Sequence, residues 1–193
     1  MLALEQHVEN PTESDLFQQF PKFFNDETAV TFLCDYIRLM TLGSDKAHEM
    51  ETLMDEEIET HHNDQLEISE AVNKAAEAMP ALGIVAAVLG VIHTMGSITE
   101  PPEVLGHLIG AALVGTFLGV LLSYGFIGPM ASALKGRANT DTKYFVCMKA
   151  GLMAYMQGYA PAVSVEFARK TLFAHERPTF YDVEDAVAEL PAA

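Results

Sequence analysis

The densest run of chemically capable side chains is Asp55-Glu56-Glu57-Ile58-Glu59-Thr60-His61-His62. Glu59 and His62 have the Glu-x-x-His spacing by which helical bundles hold paired iron or manganese, but those sites need two such motifs and further glutamates. This chain has one. His48-Glu49 continues as Met50-Glu51-Thr52, so a second histidine is missing from the zinc-hydrolase spacing as well. The run reads as a solvated acidic face. Cys34 and Cys147 are too far apart in sequence to suggest a metal knuckle, and two cysteines make no disulfide framework. With no phosphate loop, nucleophile elbow or Cys/His pair, the expectation is a protein that is not an enzyme and holds no metal or cofactor.

Proton chemistry is the remaining possibility, and it turns on two uncharged stretches. Residues 78–99 hold 22 residues without a formal charge, and Val104 to Leu134 hold 31. A bilayer core takes about 20 apolar residues as helix. Both stretches qualify, and 31 uncharged residues exceed what the core of a small soluble protein needs. Proton transfer through lipid usually requires a titratable carboxylate there. Neither stretch has one. His93 and His107 fall near the outer ends and read as interfacial. The carboxylate must then come from a partner or another part of the chain, and this one supplies walls, hydroxyls such as Thr116, and hinges. Pro80 and Pro129 lie near the inner ends of the two spans and suggest paired hinges at equivalent depth. Gly106/Gly110 and Gly115/Gly119 have GxxxG spacing, which lets helix backbones approach closely. Ala112, Thr116, Gly119 and Ser123 form a small-residue stripe. It packs either against a helix of another chain or within this hairpin.

The elements that position these residues follow from charge and periodicity. The chain has 193 residues, 50% apolar, with 11 bases and 27 acids for a net charge of −16. That balance argues against nucleic acid, whose phosphates recruit Lys and Arg. Residues 1–77 carry 18 acids and 4 bases, residues 78–134 only Glu100 and Glu103, and residues 135–193 seven of each. The sequence thus divides into an acidic helical region (1–77), two transmembrane helices (about 79–98 and 104–129, within 78–134) with a short connector, and C-terminal helices with a tail (135–193). Lys74 precedes the first span, and Lys135, Arg137, Lys143 and Lys149 follow the second, whereas the connector has no base. The positive-inside rule places both flanks in the cytoplasm. Met1-Leu-Ala-Leu-Glu5 does not read as a signal peptide.

Outside the spans the periodicity is helical. Short helices punctuated by Pro11 and Pro21 open the chain. Val30, Leu33, Cys34, Ile37 and Met40 share one face, and Gly43 ends that helix. A long helix starts near Asp45 and runs into the first span, with an interruption expected near Asn63. Tyr144 to Gly158 and Phe180 to Leu190 read as helices. The fold class is an all-α membrane protein: a two-span transmembrane hairpin with a cytoplasmic helical region.

Several blocks resemble the MotA-type stator subunits of bacterial flagellar motors, within the MotA/TolQ/ExbB family. They are Glu9-Asn-Pro with Glu13-Ser, and His48-Glu-Met-Glu-Thr-Leu-Met-Asp-Glu-Glu-Ile-Glu-Thr-His61. Two more are Pro80-Ala-Leu-Gly-Ile-Val-Ala-Ala-Val-Leu-Gly-Val and Leu113-Val-Gly-Thr-Phe-Leu-Gly-Val-Leu-Leu-Ser-Tyr-Gly-Phe-Ile-Gly-Pro129. The tail adds Gly158-Tyr-Ala-Pro, Val165-Glu-Phe-Ala-Arg-Lys-Thr-Leu and Glu176-Arg-Pro. The resemblance implies a proton-conducting inner-membrane complex in which a pentameric ring surrounds the single-span partner MotB. MotB brings the membrane Asp and anchors to peptidoglycan, and the ring pushes the rotor protein FliG. It implies that Pro80 and Pro129 are the mechanistic prolines, that Thr116 lines the ion path, and that Glu5 and Glu57 face the rotor. Ala87 stands where sodium-driven relatives carry Thr, which implies proton use. The family has four membrane helices and this chain has two, so it reads as a fragment, a misplaced start, or a separately encoded half. An ExbB/TolQ-like energiser of another envelope machine and a passive membrane scaffold are the alternative readings.

Overall fold

The computed structural model describes residues 2–43 and 46–189. Asp45 and Leu190, expected at helix ends, lie outside the described residues. The regular elements among those residues are all helical. They are α1 (Leu2–Glu9), a 3₁₀ turn (Pro11–Glu13), α2 (Asp15–Gln18), α3 (Pro21–Phe24), α4 (Glu27–Thr41), α5 (Ala47–Gly96), α6 (Pro102–Leu122), a π-helical turn (Ser123–Ile127), α7 (Gly128–Met156), α8 (Pro161–Thr171) and α9 (Phe180–Ala188). The chain forms two compact units, one of residues 61–139 and one of the residues on either side.

The flanking unit is held by two apolar clusters. Phe32, Tyr36, Met50, Met54, Ile58, Phe145 and Met153 join α4, the start of α5 and the end of α7. Val8, Phe17, Val30 and Cys34 seat the short N-terminal helices on α4. Side-chain caps start α2, α4 and α9. Ser14 Oγ accepts the Phe17 N–H at 3.2 Å, and Asp26 Oδ1 accepts the Ala29 N–H at 3.1 Å. Thr179 and Asp182 form a reciprocal capping box before α9. Gly43 closes α4 with φ +89°, a conformation that costs a glycine little. α8 has its own sequence signals, Pro161 at its first turn and Arg169-Lys170 at its last. α8 is an addition to the helices expected on either side of it, Tyr144 to Gly158 and Phe180 to Leu190.

The other unit is a hairpin of two helices that share one seam. α5 runs without a break through Asn63, so the expected interruption there is absent; with no Pro or Gly from Lys46 to Met79, nothing in the backbone requires one. On α5 the seam is Ser69, Ala76, Gly83 and Gly90, at seven-residue intervals. A Cβ on Gly83 would lie 2.9 Å from the Gly115 carbonyl oxygen, and one on Gly119 would lie 2.6 Å from that of Met79. One on Gly90 would lie 2.4 Å from Ala112 Cβ. The small-residue stripe of α6 therefore packs inside the hairpin, the second of the two arrangements its spacing allows. Backbones this close leave room only for hydrogen on one side of each contact. The Gly106/Gly110 pair is different: a Cβ at either would meet nothing within 4 Å.

The seam predicts an asymmetry among the glycines. Gly90→Ala forces its methyl into Ala112 and should destabilise the detergent-solubilised protein by about 1–3 kcal/mol, read as a lowered thermal unfolding midpoint. Adding Ala112→Gly should recover most of that loss. Gly106→Ala should stay within about 0.5 kcal/mol of the parent. Equal losses at Gly90 and Gly106 would contradict the seam.

Candidate functional site

Four residues singled out from the sequence lie in the hairpin. Thr116 is half-buried and its Oγ1 donates to the Gly83 carbonyl at 3.2 Å, crossing from α6 to α5. The hydroxyl's single proton is thereby committed within the hairpin, and its oxygen keeps acceptor capacity. Ala87 is half-buried on α5, one turn beyond Gly83. Pro80 stands inside an uninterrupted α5. Lacking an N–H, it leaves the Ala76 carbonyl without its α-helical donor. Pro129 is exposed in the first turn of α7, separated from the π-turn only by Gly128.

The two prolines do not sit at equivalent depth, contrary to the sequence expectation. Met79 packs at the level of Gly119. Ser69 Oγ donates to the Ala131 carbonyl at 3.0 Å, so Pro129, two residues earlier on the antiparallel helix, lies near the level of Ala71. About nine residues separate the two levels along α5, or roughly 14 Å at 1.5 Å per residue. The two uncharged stretches are unequal in length, and that displaces Pro129 toward the charged end.

The π-turn was not foreseen, yet the sequence carries its signal. Along α6 the inward positions are Ala112, Thr116, Gly119 and Ser123, alternating steps of four and three. Continued as α-helix, the pattern would next bury residues 126 and 130. Phe126 and Met130 are instead exposed, at 56% and 60%, and the buried positions are Ala131 and Ala138. One extra residue has entered between Ser123 and Ala131. The π-turn absorbs it, with the Gly128 N–H donating to the Ser123 carbonyl five residues back. Without that turn, the small face of α7 would be rotated by one residue away from Ser69 and Ala76.

The two acidic residues lie in the flanking unit. Glu5 is exposed in the first turn of α1. That helix is fastened to α4 by Arg38, whose guanidinium donates to Glu9 Oε1 at 2.9 Å, to Asp35 Oδ1 at 3.0 Å and to the Val8 carbonyl at 3.3 Å. Glu57 is exposed on α5 and accepts a 2.6 Å hydrogen bond from the hydroxyl of Tyr36, a residue only 1% exposed. Nearby, Lys149 Nζ reaches Asp55 at 2.6 Å and Glu51 at 3.4 Å with its side chain largely covered. The acidic run is thus a face with two of its carboxylates tied down. No three His, Cys, Asp or Glu side chains converge to hold a metal ion among the described residues. Burial pushes both the Cys34 and the Cys147 thiols above their ordinary value, which makes them poor nucleophiles.

Among the described residues, two helices are long and apolar enough to cross a membrane, and their most apolar windows are only 11% and 6% buried within the chain. A core helix of a soluble protein would be mostly covered. Fold and seam together define an all-helical membrane protein built on a close-packed hairpin. The profile of the MotA/TolQ/ExbB proton channel family matches residues 26–146. Motility protein A of Escherichia coli (strain K12) is 44% identical over 187 residues, covering 97% of this chain and 63% of that protein. Chemotaxis protein LafT of Vibrio parahaemolyticus is 35% identical over 186 residues, covering 96% of this chain and 65% of that protein. The chain belongs to the MotA/TolQ/ExbB proton channel family, and spans just under two thirds of the length of these relatives. The structure of MotAB from C. jejuni superimposes with a TM-score of 0.72 at 18% identity, covering 92% of this chain and 69% of that one. The flagellar MotAB stator complex from Bacillus subtilis gives 0.67 at 28% identity, covering 81% and 58%.

Tyr36 supplies a pH prediction. Burial, then its bond to Glu57, raise the phenol above its ordinary value. An unfolded tyrosine loses its proton near pH 10, so this group's contribution to stability is complete below about pH 10 and is lost as pH rises through the folded value. Tyr36→Phe should remove the bond, at about 1 kcal/mol near neutrality, and flatten the alkaline fall in stability above pH 10. Parallel alkaline unfolding curves for parent and variant would refute the assignment.

Proposed function

We propose that this chain acts as a MotA-type stator subunit. The apolar part of the hairpin, within residues 78–134, lies in the bacterial inner membrane, with the acidic N-terminal region and the C-terminal helices in the cytoplasm. The observation that carries the reading is a close-packed hairpin, apolar on its outside, without one Asp, Glu, Lys or Arg in residues 104–134 or 78–99. Such a structure forms a wall that holds no carboxylate of its own. A MotB-type partner supplies the membrane Asp, and copies of this subunit surround it as a ring, with five copies expected. Thr116 lines the ion path, where its remaining acceptor capacity is useful. Ala87 offers no oxygen to a dehydrating cation, which favours protons over sodium. Pro80 and Pro129 let the helices yield as the carrier changes charge.

The acidic unit is the output side in this reading. Glu5, held on a helix that Arg38 fastens, and Glu57, held by Tyr36, meet charges on the rotor protein FliG. Exposed ion pairs are worth about 0–1 kcal/mol each, so torque rests on several of them together.

The test is complementation in cells that lack their own stator, with the full-length subunit and MotB. Proton conductance and rotation are expected together. Glu5→Lys should lower torque while conductance persists, and a reversed charge on the rotor should restore part of the torque. An unmodified complex that conducts but turns nothing would favour an ExbB/TolQ-like energiser, and one that does neither would favour a scaffold. Loss of conductance with Glu5→Lys would place that residue outside the rotor contact.

A further inference from the structure

The π-turn before Pro129 changes which backbone groups have partners. In an α-helix the Gly128 N–H would serve the Tyr124 carbonyl. Here it donates to the Ser123 carbonyl. The next N–H in line, at position 129, does not exist, because proline has none. The Tyr124 carbonyl has therefore lost its α-helical donor to the wider turn and its π-helical donor to proline. The Gly125 carbonyl has lost its α-helical donor to the same proline. Residues 124–126 all lie on the exposed side of the hairpin, with Tyr124 73% exposed, while Ser123 is buried at 2%. In water these acceptors would be solvated. In hydrocarbon an unpaired carbonyl is costly and persists where a partner or a water-lined space satisfies it.

We propose that the Tyr124 carbonyl, with that of Gly125 beside it, is an acceptor site for an O–H donor carrying the transferred proton. The inference rests on the ion-conducting reading given above. The donor is the hydroxyl of a protonated carboxyl on a partner helix, or a hydronium or water molecule. A metal cation fits poorly: hard cations collect six or more oxygens, and beside the carbonyls the turn offers only the hydroxyls of Ser123, which is buried, and Tyr124. The site also discriminates between protonation states. Carbonyl oxygens accept a bond from a protonated carboxyl and repel a carboxylate, so the site holds the carrier while it is loaded and releases it once the proton leaves. No covalent bond is made or broken at the carbonyls themselves.

The test separates the missing N–H from the proline ring. In the full-length subunit assembled with MotB, position 129 is changed in parallel to Ala and to lactic acid, the α-hydroxy analogue of Ala. Both remove the ring and carry the same methyl group. Only Pro129→Ala adds an N–H that can occupy the Tyr124 carbonyl. Proton flux should fall at least tenfold further in the Ala variant than in the ester variant, and equal, measurable flux in the two would overturn the proposal. A second readout does not depend on flux. With a ¹³C=¹⁸O label at Tyr124 in the assembled complex, the carbonyl stretch should lie at a hydrogen-bonded frequency. A shift between low and high pH identifies the carboxyl as donor, and a bonded band at every pH identifies water. A free-carbonyl frequency throughout overturns the proposal, and this band alone decides if both variants are silent. An unmodified complex that conducts no protons would sink the stator reading instead, with the infrared band still showing whether the acceptor is engaged.

Discussion

The constraint on which the hairpin depends is the distance between two backbones. Where Gly83 meets Gly115, and Gly119 meets Met79, there is no space for a methyl group. Close approach of this kind substitutes for the hydrophobic effect, which does little between helices already surrounded by apolar lipid. It also fixes register, since a one-residue slip would drive side chains into the opposing main chain. The inter-helix hydrogen bonds of Thr116 to Gly83 and Ser69 to Ala131 exist because the helices are near enough for short side chains to reach a carbonyl. The π-turn follows from the same demand, because it returns Ala131 and Ala138 to a seam they would otherwise miss.

The flanking unit uses different physics. Its helices are joined by large side chains, with Phe32 packed edge-on against both Tyr36 and Phe145. Polar links lie at the margins of that cluster, among them Lys149 between Glu51 and Asp55, and Tyr36 to Glu57. The Arg169 guanidinium is paired with Glu166 and also donates to the Pro178 carbonyl, holding the segment that leads into α9. Strong acidity and tight structure coexist here because those bases are spent where they join elements.

Much of this was legible in the sequence, for identifiable reasons. Uncharged runs of bilayer length mark the spans whatever they pack against, and the 3.6-residue periodicity of Val30 to Met40 marks α4. Thr116 and the small stripe were visible as residue types, but not their direction, because GxxxG spacing is the same whether the neighbour is the next helix or another chain. The relative depth of Pro80 and Pro129 was hidden for a related reason. It depends on which residue faces which across the seam, and only Gly119 against Met79 and Ser69 against Ala131 settle that. Glu57 reads from sequence as one free acid among several. Its tie to Tyr36 joins residues on different helices and has no local signature.

The offset of the two prolines has a mechanical meaning. Hinges at one level would let a hairpin fold over as a single joint. Here each weakened stretch is splinted, since Pro80 lies beside intact α6 and Pro129 beside intact α5. Neither helix can bend by itself without dragging a stiff neighbour, and the glycine seam holds their register, so the two helices deform together. The hairpin behaves as two-ply material with staggered joints, which transmits load past each weak point.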